Sequence, residues 1–300
     1  MKTPLIPVTK LADRLGIDEI LVKREDLNRS GSHKDRAIWP VIEEYVKQGN
    51  KTFVVSSSGN TAISAAFFVT NIDRTVKVHV FLSPSIPFDK KKRLNEFVLN
   101  FDNIEVHETS RAKSEAIRFA KENHYQLIRT SVDDLVLEGY EVLADEILNQ
   151  LRNTKSKNET IDIFVPTSSG STFQGLYNGF YLGSKGIEVS VRLHAVQTSK
   201  CNVVVRKFDK YFETSNMSLA SAIVDTIGYR KEKVEEAINK SNGGGWVISD
   251  NELFESRKVF EECVSDMDIS WDSLLSLAGL IRAVKSGRKI NRAILLVTGK

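Results

Sequence analysis

The residues that could do chemistry gather where an apolar run gives way to a small, polar turn. The first such place is Val22 to Arg36, Val-Lys-Arg-Glu-Asp-Leu-Asn-Arg-Ser-Gly-Ser-His-Lys-Asp-Arg, which sets Lys34 between a glycine-containing turn and the start of a helical pattern. A lysine amine attacks a carbonyl carbon only when it is deprotonated, and burial or a nearby positive field lowers its pKa. The start of a helix is electropositive and disfavours a lysine, so some other demand must keep one there. Two readings of Lys34 stand on type and place alone: a solvated lysine, the common fate of the residue, or a nucleophile. The second place is Ser56-Ser57-Ser58-Gly59-Asn60-Thr61, after the apolar run Thr52 to Val55. Its hydroxyls, N–H groups and following helix start could hold an anion. Serine and threonine are equally at home as helix caps. The third is Thr167-Ser168-Ser169-Gly170-Ser171-Thr172, after Ile161 to Pro166, with the same two readings: a phosphate loop or a capped turn.

The elements that must position these turns follow from hydrophobic spacing. Ile20–Val22, Thr52–Val55, Val76–Leu82, Ile104–His107, Ile161–Pro166, Val189–Gln197, Trp246–Ile248 and Ala293–Val297 read as strands. Several lack polar alternation, as expected of strands buried on both faces. Helical spacing begins at about Asp35, with Ala37, Ile38, Val41, Ile42 and Tyr45 on one face. It recurs after Thr61, over Asp89 to Asn100 and Ser110 to Asn123, from Phe173 to Leu182, and from Ser249, a capping residue, through Phe260. Alternating strands and helices imply βαβ units and a parallel sheet, an α/β fold. Thr154 to Glu159 reads as a polar surface linker and 213–230 as loop. Asn242-Gly243-Gly244-Gly245 reads as a sharp break before a strand. His79, His107, His124 and His194 stand isolated, and structural or surface roles are expected of them.

Composition bounds the function. Three hundred residues suffice for one large domain or two modest ones, and 41% apolar with 27% charged residues is ordinary for a globular protein. A net charge of +3, with the basic residues scattered, gives no case for nucleic acid. The run Lys90-Lys91-Lys92-Arg93 reads as a solvated helix face or, more weakly, a phosphate contact. Cys201 and Cys263 show neither metal spacing nor a disulfide framework, so each is expected to be a small buried residue in a reducing compartment. No metal site is expected. No apolar run reaches membrane-spanning length and the first 20 residues lack a signal-peptide core, so a cytoplasmic protein is expected.

Ser-His-Lys-Asp-Arg, in its strand–turn–helix setting, resembles the lysine motif of the fold-type II pyridoxal-phosphate enzymes, which include threonine synthase, cysteine synthase, serine/threonine dehydratase and the tryptophan synthase β chain. Three further motifs follow in the family's order: the Ser57–Thr61 loop, the Ser168–Thr172 loop and Thr298. The opening Thr3-Pro4-Leu5 arm, the Glu138-Gly139 helix and the Val196-Gln197 step are also similar to family members, so the resemblance spans nearly the whole chain. Where the family reads Glu-Pro-x-Ser-Ala-Ala, this chain has Ser270-Trp271-Asp272-Ser273-Leu274-Leu275, and only Ser273 matches.

The resemblance implies two unequal α/β domains with mainly parallel sheets, tryptophan synthase β-like, with pyridoxal 5′-phosphate in the cleft between them. Residues 1–38 and 132–300 would form the larger domain and 39–131 a smaller, mobile one. Lys34 would carry the cofactor as a Schiff base and move protons. Asn60 would bind the cofactor's ring hydroxyl, and Ser57, Ser58, Asn60 and Thr61 the substrate carboxylate. Ser168, Ser169, Gly170, Ser171 and Thr172 would hold the cofactor phosphate, and Thr298 the pyridine nitrogen. Thr61 stands where dehydratases usually carry histidine, which leans toward the synthases. The closest resemblance is to threonine synthase, which converts O-phosphohomoserine to threonine and needs a second anion site, with His33, Arg36 and Lys90 as candidates. Cysteine synthase-type β-replacement and serine/threonine dehydration are the alternatives within the family. A ligand-binding paralogue without catalysis is the alternative outside enzymes. A homodimer is expected from the family.

Overall fold

The computed structural model describes residues 2–57, 59–84, 86, 88–152, 160–183 and 190–299, the side chains of residues 89, 90 and 183 excepted. Ser58 and the Thr154–Glu159 linker lie outside the described residues. The chain forms two compact units, Met1–Asn28 with Tyr140–Lys300, and Arg29–Gly139.

The larger unit opens with strand β1 (Leu5–Pro7), helix α1 (Thr9–Leu15) and strand β2 (Glu19–Arg24). The smaller unit runs α2 (Lys34–Lys47), β3 (Thr52–Ser56), α3 (Asn60–Ile72), β4 (Lys77–Leu82), α4 (Phe88–Asn100), β5 (Ile104–Glu108), α5 (Ala112–Asn123) and β6 (Gln126–Ile128). Helix α6 (Leu135–Leu151) carries the chain back. There follow β7 (Ile161–Pro166), α7 (Ser171–Tyr177), β8 (Val191–Thr198), α8 (Lys231–Lys240), β9 (Gly244–Ile248), α9 (Asp250–Cys263), α10 (Trp271–Lys285) and β10 (Arg292–Val297). The α/β expectation holds, with mostly parallel sheets flanked by helices.

In the larger unit the strand order is β1-β2-β10-β7-β8-β9, all parallel but β1. Every residue of β7 and β10 is buried, as their unalternating sequences require. Leu11 of α1, Leu253 and Phe260 of α9, and Leu274, Leu277 and Leu280 of α10 join Val22, Phe164 and Leu295 in one core. In the smaller unit the order is β5-β4-β3-β6, all parallel. The apolar face of α2 is fully buried: Ala37, Ile38, Val41 and Ile42. Pro40 sits inside this helix and has no N–H to offer the Arg36 carbonyl four residues back. Gly139 backs onto that carbonyl so closely that a Cβ would fall 1.7 Å from its oxygen, so only glycine fits there.

Some expectations need correction. Asn242 to Gly245 is not simply a break, because Gly244 and Gly245 belong to β9. The glycines are required by closeness: a Cβ on Gly243 would lie 1.7 Å from the Leu193 carbonyl oxygen of β8. The helix read over Phe173–Leu182 is α7 followed by a π-helical stretch, Asn178–Gly183. Ser249 does cap α9, within a full capping box with Glu252. His194 is fully buried, and its placement is structural. The Trp246 indole N–H donates to Nδ1 (3.1 Å), so Nε2 carries the proton and donates to Asp162 (2.7 Å). Burial pushes its pKa below the ordinary value, against the pull of Asp162.

The N-terminal arm is anchored by a buried ion pair. Lys23, fully buried, donates to Glu146 Oε1 (2.5 Å), Gln150 Oε1 (2.9 Å) and the Thr3 carbonyl (2.8 Å), while the Thr3 N–H donates to Glu146 (2.8 Å). Breaking such a pair strands a desolvated charge. Glu146→Leu should therefore cost about 3–5 kcal/mol of unfolding free energy in urea titration. Lys23→Met combined with Glu146→Leu should recover most of that. A single-variant loss as small as that of an exposed pair would show that the cluster does not anchor the arm.

Candidate active site

Lys34 is the first residue of α2 and is half-buried. The turn before it is held by three groups. Gly31 takes a left-handed φ of +85°, and a Cβ there would meet the Arg93 guanidinium at 2.8 Å. That guanidinium donates to the Ser30 carbonyl (2.6 Å). The Ser32 hydroxyl accepts the Lys34 N–H (3.3 Å). The third group is Asp35. Its carboxylate is fully buried and accepts from the Ser30 N–H (2.8 Å), the Ser30 hydroxyl and the Ser64 hydroxyl (2.8 Å). A buried carboxylate needs such donors, and its charge suits the first turn of a helix. These bonds brace the turn that leads into Lys34.

Ser64 lies one turn into α3, so its bond to Asp35 ties the starts of α2 and α3 together. Asn60 and Thr61 open α3, both half-buried. The Ser57 hydroxyl accepts the Gly59 N–H (3.3 Å) and the Ser57 N–H donates to Phe81 (3.3 Å). Within the smaller unit, then, Lys34 and the Ser57–Thr61 loop stand at neighbouring helix starts. Of the candidates for a second anion site, Arg36 is 2% exposed, His33 is half-buried, and the Lys90 side chain lies outside the described residues. Lys91 is paired with Glu108 instead.

In the larger unit, β7 leads into the Thr167–Gly170 turn and β10 into Thr298. The two strands are parallel neighbours, with Leu295 beside Phe164, so turn and threonine leave the sheet by one edge. Gly170 has φ +96°, and a Cβ there would meet Val234 at 2.6 Å. Ser171 and Thr172 are buried, and the Ser169 and Ser171 hydroxyls are 3.2 Å apart. The Ser168 oxygen accepts the N–H groups of Val224 (3.1 Å) and Asp225 (3.2 Å), so it secures the long segment read as loop. Gln197 secures the chain just after β8 by accepting from Val204 (2.9 Å) and Val205 (3.1 Å). Cys201 donates to the Asp225 carbonyl (2.9 Å); burial pushes this thiol up to about 11, which suits a packed residue and not a nucleophile.

Thr298 is held by Ser273, which is fully buried on α10. The Ser273 oxygen accepts the N–H groups of Thr298 and Gly299, both at 3.0 Å, and its proton goes to the Gly299 carbonyl (2.7 Å). The Thr298 hydroxyl lies 3.3 Å away. The roles of Asp35 and Ser64 escaped the sequence reading, and Arg93, read there as part of a solvated helix face or a phosphate contact, instead donates to the Ser30 carbonyl. Asp35 stands inside the lysine motif, but its partners are 5 and 29 residues away.

The sequence pattern of the family described as "Pyridoxal-phosphate dependent enzyme" matches residues 1–299. A threonine synthase of Bacillus sp. strain ULM1 is 24% identical over 302 residues, covering 99% of this chain and 82% of its own. One from Methanocaldococcus jannaschii is 25% identical over 311 residues, covering 99% and 74%. Among solved structures, a pyridoxal 5′-phosphate-dependent aspartate racemase superposes with a TM-score of 0.80 at 16% identity, covering all of this chain and 90% of the other; this likeness supports the fold. Among the described residues no helix is long and apolar enough to cross a membrane.

The Asp35 contacts can be tested without any ligand. Asp35→Asn should lower stability by about 1–3 kcal/mol in urea titration, because one acceptor is lost to donors that stay buried. Ser64→Ala, which removes one donor, should cost less. Equal and negligible shifts would show that the carboxylate does not brace the lysine turn.

Proposed function

The chain belongs to the pyridoxal-phosphate-dependent enzyme family, and we propose that it is a threonine synthase, converting O-phosphohomoserine and water to threonine and phosphate. The residues present suit the cofactor. There is a half-buried lysine on a braced turn, a hydroxyl-rich loop whose one glycine cannot be replaced, and a fixed neutral hydroxyl after the last strand. When bound, the cofactor draws off the electron pair left as a proton departs from the amino acid's α carbon.

The chain's own residues would do the rest. Lys34 would hold the cofactor through its Nζ and would move the α-carbon proton. The Asn60 amide would meet the cofactor's ring hydroxyl, and Ser57 and Thr61, with Ser58 by sequence, would orient the substrate carboxylate. Ser168, Ser169, Ser171, Thr172 and the Gly170 N–H bind the cofactor phosphate. Hydroxyls stand in for backbone donors there, since phosphate oxygens accept from either. Thr298, neutral and held by Ser273, would leave the pyridine nitrogen largely unprotonated, which suits elimination and replacement. The observation that carries the specific reaction is the Ser-Gly-Asn-Thr loop opening α3, with Thr61 where dehydratases usually place histidine. Curated relatives named threonine synthase support it. A homodimer in a reducing cytoplasm belongs to the same proposal.

The protein loaded with pyridoxal phosphate should release phosphate and threonine from O-phosphohomoserine in equal amounts. Lys34→Ala should lower the rate by at least about a hundredfold. Ketoacid formed from serine or threonine, with O-phosphohomoserine untouched, would replace this reading by a dehydratase. Sulfide incorporation from O-acetylserine would replace it by a cysteine synthase. Retention of the cofactor with no turnover of any of these would favour a binding paralogue.

A further inference from the structure

His79 and His107, far apart in sequence, meet on one face of the smaller unit's sheet. β4 and β5 are parallel neighbours in which His79 stands beside Glu105 and Phe81 beside His107. Glu105 and His107 are two residues apart on β5, so their side chains share a face, and pairing puts His79 on that face too. His79 Nδ1 lies 3.2 Å from His107 Nε2 and 3.4 Å from Glu105 Oε2. One ligand atom from each residue falls within 4.8 Å of the others.

The two separations from His79 have the size of a coordination edge. Donors at about 2.0–2.1 Å from a tetrahedral centre stand about 3.3 Å apart. The rings are also held in place. His107 stacks on Phe81 (centroids 4.5 Å apart, 15° between planes), His79 stacks on Tyr125 (5.5 Å, 6°), and Phe119 of α5 tilts against both. His79 is nearly buried, whereas the Glu105 side chain is 55% exposed, which opens one side to an entering ion and to a water ligand.

We infer that His79, Glu105 and His107 form a binding site for a divalent transition-metal ion of the zinc class. Two imidazoles and one carboxylate suit zinc, cobalt or nickel, whereas calcium and magnesium take oxygen donors. β5 is an edge strand of its sheet. An ion held by two residues of β5 and one of β4 would clip that edge to its neighbour, a position where strands otherwise fray or mispair. The site needs no part of the lysine chemistry, so its fate is independent of the reaction proposed above.

The test is titration of Zn²⁺ alone into the cofactor-loaded full chain, by calorimetry and by thermal unfolding. One saturable equivalent should bind and raise the melting temperature with metal concentration. His107→Ala and Glu105→Gln should each weaken binding at least about tenfold. Glu105→Gln changes an exposed side chain, so its circular dichroism and cofactor binding should match wild type and separate lost ligation from lost folding. Co²⁺ should give the absorption of a low-symmetry N,O site in wild type and not in the variants. Absence of saturable Zn²⁺ binding would overturn the assignment and leave a hydrogen-bonded histidine pair. Binding that both variants retain would do the same, by showing adventitious binding at thiols or the surface.

Discussion

Parallel strand pairing is the constraint on which the arrangement of the molecule rests. Strands that run the same way must each be followed by a crossover, so their exits all lie along one edge of the sheet. In the larger unit, β10 lies between β2 and β7, with Val297 beside Arg24 and Leu295 beside Phe164. The turns after β2, β7 and β10 therefore emerge side by side, whatever their sequences. In the smaller unit the same rule brings the Ser57 loop out beside the end of β4, where the Ser57 N–H meets the Phe81 carbonyl. The buried, unalternating strands supply stability, and the exits are left free to carry polar residues.

Buried polar groups then set the shape of those exits. Desolvating a carboxylate or hydroxyl without partners costs more than most single contacts return, so each such group dictates its neighbours' positions. Asp35 gathers Ser30 and Ser64, Ser273 gathers Thr298 and Gly299, and Ser168 and Gln197 gather the segment after β8. In every case the polar atom binds backbone or a hydroxyl from another element. A lysine or threonine placed this way has its main chain fixed before any ligand arrives, which is the kind of preorganisation a site needs.

What could be read from sequence was what is local. Apolar runs ending in serine and glycine marked the strand exits, and 3.6-residue spacing marked α2 from Ala37 to Ile42 because burial of that face is written in four residues. β6 has only three residues, Gln126 to Ile128, too few to show a period, and it exists because β3 offers a paired edge. The Gly243–Gly245 run looked like a break because glycine commonly makes one. Its actual cause, the approach of β9 to Leu193, is a contact across 50 residues. His79 and His107 looked isolated for the same reason: their meeting depends on the register of β4 against β5, which no window of sequence contains. The partners of Asp35 and Ser273 were invisible on the same ground.

The stretch that departs most from the family pattern shows how function and local packing divide one segment. Ser270 caps α10 by accepting the Ser273 N–H (3.3 Å) and donates to the Gly299 carbonyl (2.9 Å). Trp271 lies under the Arg257 guanidinium at 4.5 Å and meets Phe254 edge-on. Asp272 accepts the Ala222 N–H (2.8 Å). Each of these residues has a partner in this chain, and Ser270 begins the helix as its N-cap. Ser273, the position at which the stretch resembles the family pattern, reaches Thr298. A capped start and an aromatic–guanidinium contact can be met by other residues. The double acceptance of the Thr298 and Gly299 N–H groups needs a small hydroxyl at one place on the buried face of α10. Within this segment, Ser270, Trp271 and Asp272 serve packing and capping, and Ser273 fixes the main chain of the threonine after β10.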